Sequence, residues 1–346
     1  MKTFKIGLMG CGMIASYGHL PAIMETDGLT IHALYDPNEQ SLQHEARRYS
    51  VPHAYSDLDA FFASGIDAVV ICSPAPSHLQ NFIDVAAHNL PILCEKPLAM
   101  DAEEGQTMIQ IMEDQDLMVA VGFCYRFSPC ALKIKELIQQ DAIGDVRSMR
   151  LIYNWDCHGK YYKPDPLNQP DFWIEDPRRR GRMDEGGPMV DCGTHQIDLA
   201  RWWTQSNVSR FQSHAAWVDD YEAPDHVWVH MDHDNSAHTM VEMSYSFGHT
   251  TKDRISHFLY EIIGTKGMIR YDRNFSHFEL RNEHGTYQLE YHEEKNFHGM
   301  YEAFYEALST GELGNLCSVE DALEVTRIAR TATTNLIENR HGLSVV

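Results

Sequence analysis

One feature narrows the possible folds more than any other: a regular alternation of short apolar runs with amphipathic stretches in the first third of the chain. Lys5 to Met9 reads as a strand, Met13 to Met24 as a helix, Leu29 to Tyr35 as a strand and Glu39 to Tyr49 as a helix. Asp67 to Cys72 is β-branched and apolar on both faces, as a strand between two helical layers must be. Ser77 to Asn89 is helical, Pro91 to Cys94 is another buried strand, Asp101 caps a helix to about Gln115, and Met118 to Val121 is a further strand. Such alternation implies a parallel sheet with right-handed crossovers. The expectation is a doubly wound α/β domain over residues 1–125.

After about Arg126 the rhythm changes. Leu132 to Gln140 reads as a helix and Val146 to Trp155 as a strand. The polar stretch from Asp156 to Arg182 reads as a loop, long enough to suspect a function. Gly187 to Trp203 reads as a helix. Strands follow at Phe211 to Val218, His226 to Met231, Thr239 to Phe247, Phe258 to Ile263, Met268 to Tyr271 and Phe275 to Leu280. A turn at Asp234-Asn235-Ser236 joins two of them. Helices at Met300 to Leu308 and Val319 to Glu338 complete an α+β domain, residues 126–346, with a large, mostly antiparallel sheet. Alternation at Val241, Met243, Tyr245 and Phe247 gives that sheet an apolar face. A homodimer or homotetramer through the C-terminal sheet is expected from it.

The balance of 28 basic against 50 acidic residues, a net charge of −22, excludes a nucleic acid or an anionic membrane surface, both of which need a basic footprint. Eight cysteines without a C-x-x-C pair, several in apolar runs, read as buried thiols of a reducing compartment, so a cytoplasmic location is expected. The apolar run after Lys5 is too short and glycine-broken for a secretion signal, and no run reaches the length of a membrane span.

Gly10-Cys11-Gly12-Met13-Ile14-Ala15 lies between the first strand and the first helix and fits G-x-G-x-x-G/A. The first glycine permits the turn, the second lets backbone approach a pyrophosphate, and the helix N-terminus attracts the phosphates. Asp36 ends the second strand, where a carboxylate accepts from ribose hydroxyls. No basic residue follows in Pro37 to Gln40, so NAD is favoured over NADP. Asp36 can equally be the start of a turn. Ser73-Pro74 with His78, and Glu95-Lys96-Pro97, follow strands at the carboxyl end of the expected sheet, where open α/β sheets bind ligands. Further on, Asp191 and His195 stand four apart on the expected helix, which places them on one face. A histidine beside a carboxylate is suited to accept a proton near neutrality, though a surface ion pair or a cap would produce the same spacing.

Taken in this order, the motifs resemble those of the glucose-fructose oxidoreductase / inositol dehydrogenase / rhizopine-catabolism (Gfo/Idh/MocA) family of NAD(P)-dependent dehydrogenases. They are the turn at Gly10, Ser73-Pro74 with His78, Glu95-Lys96-Pro97, Gly122 to Phe127, Gly186-Gly187 through Asp198, and Glu261 to Gly267. The resemblance implies hydride transfer between nicotinamide and a secondary alcohol of a sugar, sugar derivative or inositol. It makes Lys96, Asp191 and His195 the catalytic trio: His195 takes the hydroxyl proton, Lys96 stabilises alkoxide charge, and Asp191 orients Lys96 or His195 and holds the substrate. It assigns the cofactor to Gly10, Gly12, Met13, Ile14, Asp36, Ser73, Pro74, His78, Glu95, Lys96, Cys124 and Arg126, with NADP left open. The chain departs from the family pattern at Ala75 and Cys124, where asparagine is frequent, and at Glu185 or Pro188 beside the glycine pair. Trp155, His158, Tyr161, Trp173, Arg180 and Arg182 are candidates at the substrate rim. The histidines His226, His230, His233 and His238 invite a metal, but the implied chemistry needs none, so none is assigned. Two alternatives stand beside this reading: glycoside cleavage through transient oxidation, and a cofactor-sensing regulator without catalysis.

Overall fold

Strands with every side chain apolar need cover on both faces, and the first sheet obtains it. In the computed structural model, which describes residues 2–157, 159–163, 172–175, 177–251, 253 and 255–342, the chain divides into two units. The first comprises residues up to Ser128 together with Lys295–Thr326; the second comprises Pro129–Glu294 and the residues from Arg327 on.

The first unit holds six parallel strands: β1 (Phe4–Met9), β2 (Leu29–Tyr35), β3 (His53–Tyr55), β4 (Ala68–Ile71), β5 (Ile92–Cys94) and β6 (Val119–Val121), in the order β3-β2-β1-β4-β5-β6. Every residue of β4, β5 and β6 is buried. Helices α1 (Leu20–Glu25), α2 (Glu39–Arg48), α3 (Leu58–Phe62), α4 (His78–Ala86) and α5 (Ala102–Gln115) make the crossovers. Chain order reverses between β1 and β4, which opens a crevice at their carboxyl ends. The three-residue β3 and the short α3, capped by the Asp57 carboxylate on Ala60 N at 2.9 Å, carry too little periodicity to be read from sequence.

The second unit holds α6 (Pro129–Gln139) and an eight-stranded sheet made of β7 (Val146–Asn154), β10 (Val208–Ala216), β11 (His226–His233), β12 (His238–Ser244), β13 (His257–Gly264), β14 (Gly267–Asp272), β15 (His277–Asn282) and β16 (Gly285–Gln288). Its order is β10-β11-β12-β7-β13-β14-β15-β16, and only β12 and β7 run parallel. One face packs on α8 (Thr194–Thr204), and α6 packs on α8. There Trp203 meets Tyr260 edge-on at 5.2 Å and donates to Ala131 O on α6 at 3.0 Å. Val241, Met243 and Tyr245 are buried, whereas Trp228, His230, Met240 and Glu242, in the alternate register of β11 and β12, are only half-buried. Phe247 lies beyond β12, which ends at Ser244.

Two expectations are modified. The stretch read as a loop from Asp156 to Arg182 contains a two-stranded ribbon, β8 (Lys160–Lys163) with β9 (Phe172–Glu175), and helix α7 (Pro177–Asp184). Four-residue strands that pair only with each other leave no periodic mark. The chain is also not cut once near Arg126, because 295–326 returns to the first unit. Helix α9 (Phe297–Thr310) buries Met300, Tyr301, Phe304 and Ala307 there, with Tyr305 against Phe4 at 5.7 Å. Helix α10 (Val319–Gly342) ends the described chain.

Candidate active site

The glycine turn is built for two different reasons at its two glycines. Gly10 has φ +96, and a Cβ there would lie 2.5 Å from Ser73 N, so the turn presses directly on the end of β4. A Cβ on Gly12 would meet nothing within 4 Å, so the missing side chain leaves open space outside the turn. Met13 is exposed beside it and Ile14 half-buried. Helical backbone starts at Met13, widens into a π turn over Ala15–His19 and continues as α1. The Asp36 carboxylate accepts from Cys11 N at 2.7 Å and from Asn38 N at 2.7 Å. Asp36 therefore starts a turn and also pins the glycine loop to the end of β2. Open space at Gly12, the helix N-terminus that begins at Met13 and a carboxylate at the end of β2 suit an adenosine ribose and pyrophosphate.

Around the ends of β4 and β5 the other expected residues gather. Ser73 Oγ accepts from Asn81 at 2.7 Å, and Pro74 is exposed. His78 is enclosed; its ring nitrogens face Ser73 O at 2.9 Å and Pro97 O at 3.0 Å, so it fastens the two strand ends to each other. Burial holds its imidazole below the ordinary histidine range. Glu95 is buried, and Lys96, joined to Pro97 by a cis peptide, is half-buried. Cys124 is buried with its thiol pushed up to about 12 by burial, then by Glu95. Arg126, 3% exposed, donates to Asn315 O and Leu316 O at 3.4 Å and to Cys317 Sγ at 3.3 Å. It clamps the returning segment rather than facing open space.

In the second unit a π turn holds Asp191 and leads directly into His195. Gly186 and Gly187 have φ +122 and +70, and the helix that follows is widened over Met189–Gly193 before α8 begins. A π turn closes i→i+5, so the four-residue spacing of Asp191 and His195 is not the plain one-face pair of an α-helix. His195, in the first turn of α8, is buried; Asp191 is half-buried. The Asp191 carboxylate accepts from Tyr245 Oη at 2.5 Å and pairs with Arg182 Nη1 at 3.3 Å. Burial pushes the Tyr245 phenol well up, and the Asp191 charge adds to it, so it remains a donor. Burial works against the Arg182 charge, but Asp191 together with Tyr245, Cys157 and Cys192 outweighs it, so its pKa is raised. Cys157 Sγ lies 3.5 Å from Arg182, and Cys192 Sγ 3.4 Å from the Tyr245 hydroxyl.

Of the rim candidates, Trp155 stacks on Tyr153 and meets Tyr245 edge-on at 5.9 Å, and Arg182 reaches Asp191. Arg180 is exposed, while its neighbour Arg179 pairs with Asp156 at 3.7 Å. Tyr161 and Trp173 lie on β8 and β9, with their side chains outside the described residues, as is His158 altogether. Tyr245 was legible only as one beat of an apolar alternation; nothing in that pattern singles out its hydroxyl. His230 and His238 approach at 3.2 Å, with His238 on Asp232 at 2.8 Å. Among the described residues no group of three or more His, Cys, Asp or Glu is placed to hold a metal ion, and no helix is long and apolar enough to cross a membrane.

Residues 4–123 match the model of an oxidoreductase family with an NAD-binding Rossmann fold, and residues 131–270 match the GFO/IDH/MocA C-terminal domain. The chain is 27% identical to the rhizopine catabolism protein MocA of Rhizobium meliloti over 61% of each sequence. It is 24% identical to the scyllo-inositol 2-dehydrogenase (NAD(+)) of Bacillus subtilis over 77% of this chain and 72% of that one. In fold it is similar to an Agrobacterium radiobacter oxidoreductase solved with NAD+, L-tartaric acid and magnesium, with a TM-score of 0.80, 21% identity and coverage of 98% and 97%. Two family models in sequence, over the glycine turn and the large sheet alike, place this chain in the GFO/IDH/MocA family of NAD-binding oxidoreductases.

Proposed function

We propose that this oxidoreductase oxidises a secondary alcohol of a sugar, sugar derivative or inositol, with NAD preferred over NADP. The observation that carries the reading is the Asp191 carboxylate, fixed by Tyr245 at 2.5 Å and Arg182 at 3.3 Å on the widened turn leading into buried His195. Relatives named D-apiose dehydrogenase and scyllo-inositol 2-dehydrogenase, at 25% and 24% identity, support the substrate class.

NAD, when bound, accepts the hydride. The chain supplies position and charge. The N–H groups from Gly12 onward would hold the pyrophosphate, and Asp36 would receive the ribose hydroxyls and repel a 2′-phosphate. His195, closed off from bulk water, takes the proton of the reacting hydroxyl. Lys96 steadies the negative charge that develops on that oxygen. Asp191 holds a neighbouring hydroxyl, and Trp155 offers a flat apolar wall to the carbon face of the ring. The enzyme is proposed to act in the cytoplasm, its eight cysteines all being buried free thiols.

A screen of NAD and NADP reduction across polyols, inositols and aldoses tests the reading. On the substrate so found, Lys96→Ala and His195→Ala are expected to keep NAD binding while kcat falls by roughly 10²–10⁴. Near wild-type turnover in both variants would refute the mechanism. Assembly through the half-buried face of the large sheet is proposed on Trp228 and Met240, apolar side chains left incompletely covered there. Size exclusion with light scattering tests it, and a monomer would exclude it.

A further inference from the structure

We propose that His19 and Tyr301 are positioning residues for Lys96, acting through the buried carboxylate of Glu95. This rests on the reading of Lys96 as the group that steadies the developing charge. Glu95 Oε2 accepts from the backbone N–H of Lys96 at 3.1 Å, and Oε1 lies 2.9 Å from His19 Nε2. The other imidazole nitrogen, Nδ1, lies 2.6 Å from the Tyr301 hydroxyl. His19 and Tyr301 are fully buried and Glu95 is 5% exposed. The chain of contacts joins three segments that meet nowhere in sequence: the π turn after the glycine loop, the end of β5, and α9.

A buried carboxylate needs a partner that can hold a proton or a positive charge against it. The titratable groups around Glu95 leave His19 in that role. The Cys72, Cys94 and Cys124 thiols are pushed up, first by burial and then by the Glu95 charge, so they stay neutral. His78 is held below the ordinary histidine range by burial and faces backbone carbonyls. The Tyr17 phenol is raised, first by burial and further by Glu95, with Lys295 and Lys96 offsetting this only in part, so it too stays neutral. His19 is the base in direct contact with Glu95, and Phe297 packs edge-on to its ring at 5.2 Å. The imidazole cannot turn away. Any change in how His19 meets Glu95 is passed to the peptide of Lys96 and to the charge beside it.

A network of this shape could also be mere glue between α9 and the sheet, and the test separates the two. His19→Gln and Tyr301→Phe are each followed by three readouts. One is NADH affinity by nicotinamide fluorescence. The second is kcat against pH on the substrate found by the polyol screen. The third is the pH midpoint for acetylation of Lys96 by acetic anhydride, read by peptide mass spectrometry with Lys96→Ala as blank. Positioning requires kcat to fall by about 10- to 100-fold in His19→Gln, and less in Tyr301→Phe, with NADH affinity nearly unchanged. It also requires the Lys96 midpoint to move by about one pH unit. Folded variants with an unmoved midpoint and pH profile overturn the inference, whatever happens to stability. If His19→Gln does not fold, Tyr301→Phe decides alone on the same criteria. Retained turnover in Lys96→Ala would instead sink the proposed function, while the acetylation midpoint still decides whether His19 and Tyr301 position that lysine.

Discussion

At the scale of single residues, the two glycines of the cofactor turn are needed for separable reasons. Gly10→Ala sets a Cβ 2.5 Å from Ser73 N at a φ of +96, so it strains the fold itself. A lower melting temperature is expected, by the equivalent of about 1–3 kcal/mol. Gly12→Ala meets only open space, so the melting temperature is expected to hold while NAD affinity falls. Parallel melts and NAD titrations check the pair; equal loss of stability in both would contradict this division. Tyr245→Phe deletes the 2.5 Å bond to Asp191 and the weaker contact of the hydroxyl with Cys192 Sγ at 3.4 Å. A hydrogen bond to a charged group contributes about 1.5–3 kcal/mol, so a loss in kcat/KM of about tenfold or more is expected. Turnover equal to wild type would remove Tyr245 from the site.

At the scale of elements, both helices that carry candidate chemistry contain a π turn, at Ala15–His19 and at Met189–Gly193. Such turns are rare and collect at functional sites, because one extra residue re-aims the side chains after it. Sequence periodicity finds the two helices and misses the widening, since hydrophobic spacing blurs over a single inserted residue. Helix α9 matters for the same region because it brings Tyr301 to His19. Its start is held by Asn296, whose side chain accepts from Gly299 N at 2.9 Å and donates to Phe127 O at 2.9 Å. Asn296→Ala is expected to destabilise the protein by about 1–2 kcal/mol, read as a lower urea midpoint with an unchanged slope. An unchanged midpoint would mean that α9 is fixed by its buried face alone.

At the scale of the whole molecule, acid stability follows from histidines held neutral. Burial lowers the imidazoles of His78 in the first unit and His233 in the second below their ordinary value of 6.5. A group whose folded pKa is depressed stabilises the fold above its unfolded pKa and loses that contribution as pH falls. The melting temperature is therefore expected to be level from pH 8 to 7 and to drop as pH is lowered through about 6.5 towards 5. His233→Asn should flatten part of that drop. Glu242, lowered mainly by its bond to His226, adds a separate loss below the ordinary glutamate range of 4.5. A melting temperature constant down to pH 5 would disprove the histidine account.

The opening alternation, the glycine turn and Asp36 were readable from residue order alone, because a buried parallel strand must be apolar on both faces and a pyrophosphate turn must lack side chains. The two fold classes and the NAD-binding first domain were legible from such patterns, and the family was legible through the resemblance of its ordered motifs, before any coordinates. What tertiary structure decided is what depends on residues far apart in the chain. It sends 295–326 back to the first unit, sets Tyr245 on Asp191 across 54 positions, and closes Tyr301 on His19 across 282. Local pattern records which face of an element is apolar, whereas a hydroxyl or carboxylate acquires its partner only when separate elements pack.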